Sequence, residues 1–130
     1  MTFLLKSAMC DLMPAAAGLP GIVDTDVDGF LDRLGRETTW MMWGTLVAGA
    51  LLFVLTPVLT LGIPLPTLLL SRKLRDRHAD RIVTTRFYLI RQAVFLVKMY
   101  ACVCWGEADV VRRQLNVAPY PASPGTFRTS

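Results

Sequence analysis

Residues 38–71 contain no Asp, Glu, Lys or Arg, a run of 34 residues in a chain of 130. Few folds tolerate such a run. A bilayer-spanning helix needs about 20 apolar residues to cross a hydrocarbon core of about 30 Å. One straight helix of 34 residues would run about 50 Å, so the run has to break. Trp40 and Trp43 stand at its start, where interfacial aromatics belong. Gly44, Ala48 and Gly49 permit close helix approach. Pro57 can kink the helix, and Gly62, Pro64 and Pro66 end it. The expected span is 40–61, with 62–71 at the far interface. Two half-helices re-entering around Pro57 are the alternative. The soluble alternative, a buried core helix, is disfavoured by the run's length and uniformity.

Charge is divided around this run. Residues 1–39 carry three basic and six acidic side chains; residues 72–130 carry eleven basic and four acidic, which accounts for the net +4. Arg72, Lys73, Arg75, Arg77 and Arg81 crowd the end of the apolar run. The positive-inside rule then gives a single-pass protein of the cell inner membrane, N-terminus outside and C-terminus cytoplasmic. Trp40, Trp43, Arg72, Lys73, Arg75 and Arg77 are the expected membrane anchors. Topology explains these cations more simply than nucleic acid does. Composition agrees: 53% of the chain is hydrophobic and 18% charged, against about 25% charged in soluble domains.

The remainder reads as helices and irregular segments, for an all-α membrane protein with amphipathic cytoplasmic helices. Residues 1–23 are expected to be irregular, punctuated by Pro14, Gly18, Pro20 and Gly21, and no cleavable signal is evident in the opening residues. Residues 24–37 fit a short helix with Val27, Phe30, Leu31 and Leu34 on one face and Asp24 or Thr25 as its cap. Asp24, Asp26, Asp28 and Asp32 also fit positions 1, 3, 5 and 9 of an EF-hand calcium loop. The closing glutamate of that loop is replaced by Gly35, and Pro20 and Gly21 stand where its entering helix would be. The helix reading therefore ranks above the calcium site.

Residues 72–115 form a basic helical region. Within it 79–105 is expected to be one helix, apolar around most of its circumference but interrupted by Arg86, Arg91 and Lys98. Such a helix needs neighbours on nearly every side. Phe87, Tyr88, Phe95, Tyr100 and Trp105 are therefore expected to meet lipid or another subunit, and Arg91 and Lys98 an anionic surface. Gly106 is expected to close this helix, residues 107–117 to form a short one carrying Val110, Val111 and Leu115, and residues 116–130 to be extended.

No catalytic constellation is visible. There is one histidine, no glycine-rich phosphate loop, no nucleophile elbow and no CxxC among Cys10, Cys102 and Cys104. His78 is expected at the interface as a polar residue. The reading is a non-enzyme without a cofactor or small-molecule substrate.

Residues 75–117, RDRHADRIVTTRFYLIRQAVFLVKMYACVCWGEADVVRRQLNV, show a charged helix start, an arginine-rich helix, an apolar helix ending near Trp105, then an acidic turn and helix at 107–115. This order resembles the small subunits of bacterial membrane-bound flavin dehydrogenases, the gluconate-dehydrogenase small-subunit type that partners glucose–methanol–choline oxidoreductases. The DVDGFL stretch is similar to that family's first helix. The long apolar run and the missing twin-arginine signal depart from it. The resemblance implies a cofactor-free companion that braces a catalytic flavoprotein. The alternatives are a structural subunit of a larger photosynthetic or respiratory assembly, and a calcium-responsive membrane protein using the N-terminal aspartates.

Overall fold

The computed structural model describes residues 1–16 and 18–119. All its regular elements are helices: α1 (Thr2–Leu12), α2 (Val27–Glu37), α3 (Trp40–Leu55), α4 (Pro57–Thr60), α5 (Arg72–Ile82), α6 (Tyr88–Glu107) and α7 (Asp109–Gln114). Single 3₁₀ turns lie at Ile22–Asp24 and Thr67–Leu69.

α1 occupies the segment expected to be irregular. Leu5, Ala8, Met9 and Leu12 lie at helical spacing and are all buried. The prolines and glycines that suggested a loop begin only at Pro14, after the helix has ended. α2 forms as its pattern dictates, with Val27, Phe30, Leu31 and Leu34 buried. Its cap is Asp26, whose carboxylate accepts from the Gly29 N–H at 3.0 Å. Asp24 instead closes the preceding turn, accepting from the Gly21 N–H at 3.1 Å.

The expected single helix over 40–61 is two. Thr39 caps α3, which ends at Leu55, and α4 restarts at Pro57. Proline has no N–H to offer the carbonyl four residues back, so the Phe53 C=O loses its helical partner. The Thr67 hydroxyl replaces it at 3.1 Å and also approaches the Val54 C=O at 3.2 Å. His78 Nε2 reaches the Phe53 C=O at 2.7 Å. Gly62, at φ +70°, then reverses the chain after α4.

The helix expected over 79–105 is likewise two. α5 stops at Ile82, where the Thr84 hydroxyl turns back onto the Arg81 C=O at 3.1 Å and competes with helix continuation. α6 begins at Tyr88 and runs through Gly106 to Glu107. In α7 only Val111 is buried; Val110 and Leu115 are exposed. The part of the expected tail from residue 120 onward lies outside the described residues.

The core is the triangle of α1, α3 and α6, flanked by α2 and α5. Thr38, just before α3, lines a groove with Tyr100 and Val103, while Gly49 lies against Ala93. α3 and α6 therefore run antiparallel. Of the three small residues expected at a close helix approach, Gly49 makes it: a Cβ there would stand 2.6 Å from the Ala93 carbonyl oxygen. Gly44 has nothing within 4 Å and Ala48 is exposed.

The two glycines predict opposite outcomes. Gly44→Ala should raise stability by up to about 1 kcal/mol through helix propensity alone. Gly49→Ala should lower it by about 1–3 kcal/mol, because the α3–α6 seam must open. Denaturant unfolding of the two variants checks the contrast.

Candidate functional site

The outer surfaces of α3 and α6 are the feature a folded chain would least be expected to leave bare. On α6, Tyr88, Leu89, Phe95, Met99 and Val103 are exposed, with Phe95 at 59%. Tyr88, Gln92, Phe95, Met99 and Cys102 follow one another at steps of four and three, so they form a line along one face. On α3, Met41, Thr45 and Ala48 are exposed at steps of four and three, and Leu55 is exposed seven residues further on, with half-buried Leu52 between. Neither line carries a formal charge. Beside them, Phe30 and Leu34 of α2 meet Tyr100 and Val103 of α6 around a cleft of about 230 Å³ that also touches Glu37 and Thr38.

The expected anchors divide. Trp40 is 86% exposed, but Trp43 is half-buried with its ring facing Gly35 of α2. Arg72, Lys73 and Arg77 are exposed on α5; Arg72 pairs loosely with Asp76 at 3.6 Å. Arg75 turns inward to Asp11, 3.4 Å away. Asp11 is 5% exposed, and burial pushes its carboxyl above the usual range although Arg75 and Arg72 pull it down. Its second oxygen has no hydrogen-bond partner.

This pair bears on where the apolar run can lie. A span over 40–61 with an outside N-terminus would hold Asp11 and Arg75 on opposite sides of a core of about 30 Å. The apolar face of α1 instead packs along α3 and α6, and the end of α1 meets α5. α3, at 16 residues, is about 24 Å long. Among the described residues the helix long and apolar enough to cross a membrane is α6.

The aromatic and basic contact residues also sort themselves. Phe87, Tyr88 and Phe95 are exposed. Tyr100 is half-buried against the core. Trp105 is used internally, its indole N–H donating to the Pro20 C=O at 2.9 Å. Arg91 lies over the Tyr88 ring at 5.8 Å and borders a cleft with Val83, Gln92 and Phe95. Lys98 shares a small cleft with Asp11, Asp76 and Asp80 of its own chain.

The four N-terminal aspartates are not brought together. Asp24 and Asp26 act as caps, and Asp28 pairs with Lys6 at 2.6 Å. Among the described residues no cluster of three or more His, Cys, Asp or Glu side chains could hold a metal ion.

His78 is fully buried rather than interfacial. Its protonation follows from its partners. A carbonyl oxygen only accepts, so Nε2 carries the hydrogen donated to Phe53, and Nδ1 accepts from the Thr60 hydroxyl at 2.5 Å. Burial lowers its pKa, and the bond to Phe53 opposes this in part. Sequence spacing contained one usable signal for this knot: Pro57 orphans the carbonyl four residues earlier.

No protein-family model, no curated protein and no solved structure matches the chain.

The histidine gives a pH prediction. A folded pKa below the ordinary value of about 6.5 favours the neutral ring. Its stabilisation is complete above that pH and is lost as pH falls toward the folded value. Asp11, with its raised pKa, moves the opposite way and gains as pH falls through its own range. Wild-type protein should therefore lose stability between about pH 7 and pH 5, and His78→Gln should flatten that loss. Denaturant midpoints at the two pH values read the difference; parallel curves for the two proteins would contradict it.

Proposed function

We propose that this chain is a non-catalytic accessory subunit that holds a catalytic partner at a membrane. The observation that carries the reading is the pair of uncharged, exposed lines on α3 and α6. A chain of this size would gain stability by covering their apolar side chains, and exposed apolar patches mark protein or membrane contact. The α2–α6 cleft adds a concave apolar site beside the α6 line, suited to an inserted side chain.

The resemblance of residues 75–117 to the small subunits of membrane-bound flavin dehydrogenases supplies the preferred partner, a flavoprotein oxidoreductase. In that arrangement the partner would carry the redox chemistry. This chain would contribute a preformed helical surface, with α1 packed against both α3 and α6 and α5 against α6.

Purification in mild detergent, followed by identification of the co-purifying chains, tests this reading. A stoichiometric companion with oxidoreductase activity is expected. Phe95→Ser with Met99→Ser should reduce its recovery. Each buried side chain of this type contributes about 1.5–3 kcal/mol, so the double variant should weaken association roughly 10²- to 10⁴-fold. Its helical circular dichroism should stay unchanged, because both positions are exposed in the chain alone. A stable monomer without any companion would overturn the proposal.

A further inference from the structure

Between α3 and α5 the chain makes an elbow that pushes aliphatic side chains outward. Leu55, Val58, Leu59, Leu65, Leu68 and Leu69 are all exposed, Leu69 at 69%. No charged residue lies within this stretch. The elbow is held from beneath. The Thr67 hydroxyl bonds to the Phe53 and Val54 carbonyls, and the Thr60 hydroxyl to His78.

The next helix segregates its charges around this elbow. Lys73, Arg77 and Arg81 follow at intervals of four, form one line on α5 and are exposed. Arg81 donates to the Thr60 C=O at 2.8 Å, which puts the end of the line beside α4. Asp76 and Asp80 turn to another side, where they border the cleft with Asp11 and Lys98. Among the described residues, Lys73 and Arg77 have no carboxylate within ion-pair distance.

We propose that the elbow is a monotopic membrane-insertion site for an anionic phospholipid surface. The leucines and valines enter the boundary between headgroups and acyl chains, and Lys73, Arg77 and Arg81 meet lipid phosphates. The composition favours lipid over a protein partner. Protein interfaces concentrate their energy in Trp, Tyr and Arg anchors, with Leu and Val under-represented, and the elbow has no aromatic residue. The inference rests on the membrane-anchoring part of the function proposed above and supplies its lipid chemistry.

Flotation of the purified full chain with phosphatidylcholine vesicles, with and without phosphatidylglycerol, tests it. Binding should be stronger to the anionic vesicles and should fall with added salt. Lys73→Gln with Arg77→Gln should weaken binding to anionic vesicles roughly 25-fold, about fivefold per charge, and leave binding to neutral vesicles unchanged. Leu65→Ser with Leu69→Ser should weaken both at least tenfold. Flotation indifferent to lipid charge, or a Lys73/Arg77 variant that behaves as wild type, would overturn the proposal. So would binding to an acidic protein partner without binding to vesicles. Flotation as expected with no co-purifying partner would remove the accessory-subunit reading and leave the elbow; a partner without flotation would remove the elbow alone.

Discussion

The carbonyl of Phe53 decides the shape of this molecule. Pro57 removes its helical donor, and a buried carbonyl without a partner costs about 1–3 kcal/mol. His78 and Thr67, brought from α5 and from the turn before it, supply the missing donors. That requirement fixes the path between them. The chain must reverse after α4 and return α5 along α4, with His78 inward. α5 then presents Arg75 to Asp11 of α1 on one side and Lys73, Arg77 and Arg81 to solvent on another. A continuous helix through residue 57 would have left Thr67 and His78 without these partners and would have separated α1 from α5.

Much of the secondary structure was legible in the sequence, and the physical reasons are specific. The apolar spacing of Val27, Phe30, Leu31 and Leu34 allows one packed face, and α2 uses it. The same spacing in Leu5, Ala8, Met9 and Leu12 was overshadowed by the prolines and glycines that follow. The absence of charge from 38 to 71 signals a preference for an apolar environment, but hydropathy does not distinguish lipid from a protein interior. Leu46, Val47, Phe53 and Val54 face the core, while Met41, Ala48 and Leu55 face outward. Both sets look alike along the chain.

Tertiary pairing was not legible. The pairing of Asp11 with Arg75 joins residues 64 positions apart. The cleft that sets Lys98 among Asp11, Asp76 and Asp80 needs three helices in place. His78 among five nearby cations reads as a surface residue until Pro57 is seen to create a vacancy for its N–H. The excess of apolar circumference on one helix points to its aromatic residues, Tyr88 and Phe95 among them, but not to the line on α3 or to Met99. The fold leaves Phe95 exposed, adds Met99 beside it and uses Trp105 internally.

Central to this fold is that α1 and α5 meet, setting Asp11 beside Arg75. A short bismaleimide applied to cells producing the protein measures this most directly. The protein would carry Asp11→Cys and Arg75→Cys, with Cys10, Cys102 and Cys104 replaced by serine. The fold predicts efficient intramolecular cross-linking between the two positions. No cross-link, together with labelling of the two cysteines from opposite faces of the membrane, would contradict it and restore a single span between them.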